Sequence, residues 1–209
     1  MAGIGAVATM NRLLPALVLI LLAVLGFIGY RLSNRPVLVV RNELAFPVRV
    51  TLLGGDTLLP AGTVLERVVS RQQPVAVRWE MEPPRTAGRL PVGAVIAGAA
   101  TVGGGEGRLP VIITPSVDGA PLFAPRITNA TGVPLRVRVN AGLQGSQDCP
   151  CEVPVGADRM AIGYYPLFQN SSVEVHDSLG RRATFTDLGP AVTQRSGTIG
   201  LRFNAGDLR

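Results

Sequence analysis

The chain opens with a long run of apolar positions. Residues 13–30 read LLPALVLILLAVLGFIGY, eighteen residues without a charge. At about 1.5 Å of rise per residue, a helix of this length spans roughly 27 Å, close to the thickness of a bilayer's hydrocarbon core. Only a helix satisfies every backbone polar group there within one segment. The pattern therefore predicts a transmembrane helix at 13–30, after a short N-terminal tail at 1–12.

A cleaved signal peptide is the alternative interpretation of this run. Such a peptide has a positive N-terminal region, a shorter apolar core and small residues at a cleavage site. Here Arg12 is the only charge before the run, and Gly29-Tyr30-Arg31-Leu32-Ser33 lacks small residues at the required spacing. We therefore expect an uncleaved anchor, followed by a basic juxtamembrane linker at 31–36.

From Val37 onward the apolar period changes to two. Pro47-Val48-Arg49-Val50-Thr51 alternates, and Val75-Ala76-Val77-Arg78-Trp79-Glu80 places three apolar side chains on one face. Turn signals such as Gly54-Gly55-Asp56-Thr57 separate these runs. Short strands with turns every 8 to 12 residues or so are typical of an antiparallel sandwich. The sequence predicts a mainly β protein with sandwiches of the Ig-like (immunoglobulin-like) type.

The β-rich part also repeats itself. RNELAFPVRV at 41–50 is echoed by TNATGVPLRV at 128–137, an offset of 87 positions. Leu59-Pro60-Ala61-Gly62 is echoed by Val153-Pro154-Val155-Gly156, with a larger offset of 94. Ordered matches with a growing offset indicate one duplicated unit with insertions in its second copy. We therefore predict two tandem sandwich domains, with sandwich 1 at 37–114, a linker at 115–125, sandwich 2 at 126–205 and a loose tail at 206–209.

Composition and charge narrow the classes of partner. The chain is 47 % hydrophobic and 16 % charged, so it can bury a core. Its net charge is +6 and every basic residue is arginine, but the arginines are dispersed and aromatics make up only 5 %. Nucleic-acid binders cluster charge beside stacking aromatics, so we expect no nucleic acid as a partner. Phospholipid headgroups or an acidic protein fit the charge better, with Arg31 and Arg35 as contact candidates.

The arginines also predict an orientation in the membrane. Arg12 alone precedes the predicted span, whereas Arg31, Arg35 and Arg41 follow it. Basic flanks stay on the cytoplasmic side, which favours cytoplasmic sandwiches. A periplasmic placement, by analogy with other anchored sandwiches, is the alternative.

Few residues are candidates for chemistry. Cys149 and Cys151 are weak metal candidates, since zinc sites need more ligands at a wider spacing. A bridge between them would close a small, strained ring, so we expect free thiols, whose pKa Asp148 and Glu152 would raise. His176 is the only histidine, and strand geometry turns it away from its sequence neighbours. We predict no catalytic residue and no cofactor.

The most concentrated aromatic stretch offers further partner-contact candidates, namely Tyr164, Tyr165, Leu167 and Phe168. Packing of this stretch within the second sandwich is the alternative. We expect a non-catalytic, single-pass accessory subunit that braces a larger complex of the bacterial inner or intracytoplasmic membrane, such as a photosynthetic or respiratory assembly. Its partners would be other subunits and the lipid bilayer. The alternatives are a free-standing tethered module that binds a peptide, glycan or lipid, and a metal or redox protein that uses the Cys149-Pro150-Cys151 loop.

Overall fold

The fold consists of an N-terminal helix followed by a long β-rich body. The computed structural model describes residues 5–33, 35–85, 92–144 and 146–209. Helix α1 covers Gly5–Ser33 and contains Pro15. It is longer than the predicted 13–30, so residues 5–12 of the predicted tail are helical. Residues 1–4 of that tail, and Asn34 of the predicted linker, lie outside the described residues.

Helix α1 presents apolar side chains to its surroundings. Leu17, Leu19 and Leu22 are 64 %, 67 % and 59 % exposed. Counted over the residues that the structure describes, no helix has both the length and the apolar character needed to cross a membrane. The predicted span at 13–30 includes side chains outside that described set.

Among the residues that the structure describes, seven strands form the first β unit, called unit 1 below. They are β1 (Val37–Asn42), β2 (Val48–Leu52), β3 (Gly55–Leu59), β4 (Val64–Val68), β5 (Val75–Met81), β6 (Ala97–Val102) and β7 (Arg108–Ile113). Two sheets result, with strand orders β4-β1-β7 and β3-β2-β5-β6. Because strand side chains alternate faces, Leu38 and Val40 of the first sheet meet Val48, Val50 and Val77 of the second in one core, all fully buried.

In the described part of the chain, nine strands form the second β unit, called unit 2. They are β8 (Ser116–Val117), β9 (Ala120–Ala130), β10 (Leu135–Val139), β11 (Gln147–Val153), β12 (Met160–Ala161), β13 (Tyr165–Pro166), β14 (Val173–His176), β15 (Arg182–Phe185) and β16 (Thr198–Asn204). Strand β9 pairs with β8, β12, β13 and β16, while β11-β10-β14-β15 form a second sheet. Short 3-10 helices cover Gly189–Ala191 and Ala205–Asp207. The predicted linker at 115–125 therefore holds β8 and the first half of β9.

The two units share one pairing scheme. In unit 1, β1 is antiparallel to β4 and parallel to β7. In unit 2, β9 is likewise antiparallel to β12 and parallel to β16. The orders β3-β2-β5-β6 and β11-β10-β14-β15 also correspond strand for strand. The predicted domain boundaries stay predictions, but the repeated sequence marks positions that are equivalent in the fold.

A buried asparagine occupies the same place in each unit. The side-chain amide of Asn42 donates to the carbonyls of Phe46, Leu59 and Pro60, at 3.0 to 3.1 Å. Asn129 donates in the same way to three carbonyls, those of Val133, Val153 and Pro154. Asn42 thus ties the end of β1 to the end of β3, and Asn129 ties the end of β9 to the end of β11. An amide supplies donors to carbonyls that the sheet ladders leave unpaired.

Strand β9 contributes side chains to both hydrophobic cores. Leu122 and Ala124 belong to the core of unit 1, whereas Phe123 and Ile127 belong to that of unit 2. This division follows from the alternation of strand side chains between two faces. All four residues are at most 5 % exposed. The first half of β9 is therefore covered on both faces, one by each unit.

Tyr164 joins the two units at the same place. Its ring packs edge-to-face on Phe46 with centroids 5.5 Å apart. Its hydroxyl accepts the Ala45 amide at 2.8 Å and donates to the Ser196 carbonyl at 2.6 Å. The backbone at Gly93 lies beside Tyr164, and a Cβ there would approach the Tyr164 carbonyl oxygen to 2.6 Å. A tyrosine from unit 2 thus completes the core of unit 1.

The mainly β architecture is confirmed, with several antiparallel sheets consistent with sandwiches. The Ig-like type stays a prediction. In constant-type immunoglobulin domains the first strand neighbours the second. Here β1 lies between β4 and β7 and is not paired with β2, and β9 of unit 2 pairs with β12 and β16 and not with β10.

Candidate functional site

The end of unit 1 that joins α1 gathers several loops into one surface. Val37 opens β1 there, opposite Val68 at the end of β4 and Arg108 at the start of β7. Its amide donates to the Gly107 carbonyl at 2.9 Å. In the other sheet, the register of Leu52 opposite Val77 brings the β2–β3 turn to the same end. We call this surface, formed by residues 35–37, 53–54, 68–75 and 103–108, the helix-proximal end.

Glycine allows two of these loops to meet. The carbonyl of Arg71 lies so close to Gly104 that any Cβ at position 104 would collide with it. The run Gly103-Gly104-Gly105 therefore serves close backbone approach rather than phosphate binding by a glycine-rich loop. The contact fixes the segment around Arg71 beside the start of β7.

A basic cleft opens at this end. It has a volume of about 450 Å³ and is lined by Arg31, Arg35, Pro36, Val68, Val69, Ser70, Arg71 and Gln72. Its lining residues include three arginines, a serine and a glutamine, and no Asp or Glu of the described part of the chain lines it. Guanidinium groups bind carboxylates and phosphates with two parallel hydrogen bonds. The chemistry of the cleft therefore fits an anion.

The three arginines are held differently. The Arg31 guanidinium lies 5.1 Å from the centre of the Phe27 ring, a cation–π distance. Arg71 pairs with Glu106 at 3.4 Å, so its charge is partly compensated. Within the described part of the chain, Arg31 and Arg35 form no ion pair. Their positive charge is the uncompensated part of the cleft.

Two exposed apolar side chains lie at the same end. Leu53 is 70 % exposed at the tip of the β2–β3 turn, and Val68 is 57 % exposed beside the cleft. Leu53 has φ 52° and Gly54 has φ 80°, the left-handed pair of a two-residue hairpin turn. Asparagine or glycine is usual at the first of these positions, because a bulky side chain there is strained. An exposed, strained leucine points to a role outside folding.

Tyr164 and Tyr165 are not available as partner contacts, so that prediction is corrected. Tyr164 is 0 % exposed and Tyr165 is 1 % exposed, and the Tyr165 hydroxyl donates to the Ile162 carbonyl at 2.8 Å. Burial raises the pKa of Tyr164 to about 12, against the opposing effects of the Ala45 amide and Arg126. Burial also raises the pKa of Tyr165. Both tyrosines serve packing inside the chain.

The other predicted contact residues are distributed over two places. Arg31 and Arg35 line the cleft at the helix-proximal end. Leu167 is half-buried against the core of unit 2, and Phe168 is 38 % exposed. These two lie in unit 2, so the structure does not join them with the arginines in one site. Their contact with a partner stays a prediction.

The prediction of free thiols is wrong, because Cys149 and Cys151 form a disulfide. In the sheet register, Arg136 lies opposite Glu152 and Arg138 lies opposite Asp148. Three residues of β11 therefore face a single residue of β10, Val137. This bulge brings the two Cα atoms to 5.1 Å, well inside the range for a bridge. The expectation of free thiols considered only the small size of the ring that the bridge closes, and it did not include the bulge. A disulfide also removes the thiolates that the metal hypothesis needs.

The surroundings of the disulfide carry paired charges. The Arg138 Nε donates to Asp148 Oδ1 at 2.6 Å, and this hydrogen bond lowers the pKa of the carboxyl. Because both cysteines are in the disulfide, there is no thiol whose pKa Asp148 could raise. Among the described residues, no three His, Cys, Asp or Glu side chains come together as a metal site.

Sequence reasoning missed two residues of the helix-proximal end. Arg71 is far from Arg31 in sequence, and only the pairing of β1 with β4 brings them together. Leu53 carried a readable signal, since Leu-Gly between two alternating runs marks a hairpin tip with an apolar residue.

Comparison of the chain with protein-family models finds no match. A search of curated proteins finds no match either.

Proposed function

We propose that the chain is a membrane-anchored, non-catalytic accessory subunit, with α1 as anchor and the two β units as the part that braces a neighbouring protein. The observation that carries the proposal is the junction at residue 35. An uncharged apolar segment with outward-facing side chains leads directly into a basic cleft. A bilayer changes in the same order from an apolar core to an anionic headgroup layer. An apolar helix followed by a basic cleft matches both layers.

Extraction of membranes with alkaline carbonate tests the anchor. The full chain should stay in the pellet, and Leu19→Arg with Leu22→Arg should release it, because each charge strongly disfavours the hydrocarbon core. Leu179→Arg is the matched control, since Leu179 is 78 % exposed in unit 2. Release of the unaltered chain into the supernatant contradicts the anchor.

Purification in a mild detergent tests the bracing role. An accessory subunit should co-migrate with one or more other membrane proteins in fixed stoichiometry. A monodisperse monomer under the same conditions contradicts this role and supports the free-standing binding module instead.

The disulfide bears on which side of the membrane the β units face. Disulfides persist in oxidising compartments and are rare in the cytosol. We therefore propose the periplasmic placement, the alternative to the one that the flanking arginines favour. In intact cells, Cys149 and Cys151 should resist alkylation until a reductant is added, and protease added to spheroplasts should digest the β units. Alkylation without reductant, together with protease protection, contradicts this placement.

A further inference from the structure

We propose that the helix-proximal end of unit 1 is a docking surface for anionic phospholipid headgroups, with the basic cleft binding the phosphate and Leu53 entering the interface. The inference rests on the proposed anchoring by α1. It goes further, because an anchor alone requires no contact between unit 1 and the lipid. It predicts a β body that lies against the membrane with a defined end.

The position of the cleft is the first support. Arg31 lies in the last turn of α1, and Arg35 follows two residues after its end. A helix that ends at the hydrocarbon boundary places both guanidinium groups at the level of the phosphates. Arg71 and Ser70 come from the β4–β5 connection and close the other side of the cleft. The site therefore combines one wall beside the helix with one wall on unit 1.

Charge complementarity is the second support. Within the described part of the chain, Arg31 and Arg35 have no carboxylate partner, and no Asp or Glu is among the residues that line the cleft. A phosphodiester offers two oxygens to the planar donors of a guanidinium group. A cleft of about 450 Å³ accommodates a headgroup rather than a larger macromolecule. Because the proposed anchor holds the cleft at the membrane surface, anionic lipid is the occupant present there at high local concentration.

The exposed leucine is the third support, independent of charge. Leu53 sits at the same end of unit 1 as the cleft, at the tip of a hairpin turn, and is 70 % exposed. Its φ of 52° makes it a costly residue for a hairpin turn. An apolar side chain on a basic surface is the usual composition of a membrane-interface contact.

The tip of unit 2 provides a matched comparison. Leu179 is 78 % exposed in the β14–β15 turn, at the far end of a unit that meets unit 1 through β9 and Tyr164. Leu53 and Leu179 are therefore similar in exposure and turn position but lie at opposite ends of the β body. The proposal predicts lipid contact for Leu53 alone.

Lipid binding by the detergent-solubilised full chain tests the cleft. Native mass spectrometry with added phosphatidylglycerol or phosphatidylcholine gives the apparent affinity for each lipid. Arg31→Gln with Arg35→Gln should weaken phosphatidylglycerol binding about 25-fold, since each arginine near an anionic surface contributes roughly fivefold. Arg182→Gln with Arg202→Gln removes the same charge from exposed sites on unit 2 and should change the affinity less than twofold.

Three results overturn the assignment of the cleft. Equal affinity for the two lipids is one, and equal weakening in both double variants is another. Displacement of phosphatidylglycerol by an equal concentration of inorganic phosphate is the third, because it means that a soluble phosphate is the ligand.

Quenching in nanodiscs tests the docking of Leu53. The full chain with Leu53→Cys, labelled with bimane, should be quenched by brominated acyl chains, and the Leu179→Cys counterpart should not. Absence of quenching at position 53 in chains that resist carbonate extraction refutes the docking and leaves the anchor intact. Chains that carbonate releases refute the anchor itself, so the two failures are distinguishable.

Discussion

Replacement of Tyr164 by phenylalanine tests whether unit 2 stabilises unit 1. The variant keeps the ring and its edge-to-face contact with Phe46 but removes the hydroxyl. The Ala45 amide and the Ser196 carbonyl each lose a partner. An unsatisfied buried group costs about 1–3 kcal/mol. Because both partners are only half-buried, we expect the lower end of that range for each, about 2 kcal/mol in total.

The single tryptophan makes the assay specific for unit 1. Trp79 lies on β5 and packs against the core of unit 1. Its fluorescence therefore follows the unfolding of the unit that does not contain Tyr164. With a urea m-value of about 2 kcal/mol/M, the loss shifts the Trp79 midpoint by roughly 1 M. The full chain in a mild detergent is the sample.

Tyr165→Phe is the matched control. Its hydroxyl donates within unit 2, to the Ile162 carbonyl at 2.8 Å, so the variant loses one hydrogen bond. We expect a loss of about 1 kcal/mol, detected by circular dichroism, and a smaller shift at Trp79. If Tyr164→Phe leaves the Trp79 midpoint unchanged, or moves it no further than the control does, the reasoning is wrong.

Three more outcomes follow from single residues. Asn129→Ala should lower stability by about 3 kcal/mol in chemical denaturation, at about 1 kcal/mol each for one buried and two part-buried carbonyls that lose their donor. Leu53→Asn should raise it by about 1 kcal/mol by relieving the left-handed strain, and a decrease contradicts that strain. Asp177 is buried, which opposes its charge, but hydrogen bonds from Arg181 and from the Leu179 amide outweigh this and hold its pKa low. Its contribution is thus present above about pH 4 and lost as the pH falls through the lowered pKa. Thermal unfolding should show Asp177→Asn as the less stable protein at pH 7, and this difference should shrink as the pH is lowered below about 4.

The sequence predicted what depends on local periodicity. The alternation around Val48 and Val77 gave strands with the expected buried faces, and the echo of Asn42 in Asn129 marked two equivalent buried amides. Long-range pairing was not readable in this way. The aromatic run at 164–168 looks like a surface anchor in the sequence, because nothing local indicates that β9 and the 43–47 loop will cover it.

The candidate site was predictable only in part. Arg31 and Arg35 were recognised because they follow the apolar run directly. Arg71 joins them through the β1–β4 register, which depends on contacts between residues far apart in the chain. The disulfide was missed for a related reason. The bulge opposite Val137 depends on pairing with β10. Without knowledge of that pairing, the distance between the two cysteines could not be predicted from the sequence.

The division of β9 between two cores has a consequence for how the chain can be cut. A fragment that ends at residue 114 would keep all seven strands of unit 1 but lose Leu122, Ala124 and Tyr164, which complete its core. The two units therefore share strand β9 between their hydrophobic cores. Unit 1 expressed without residues 115–209 should therefore have an incomplete hydrophobic core and a tendency to aggregate.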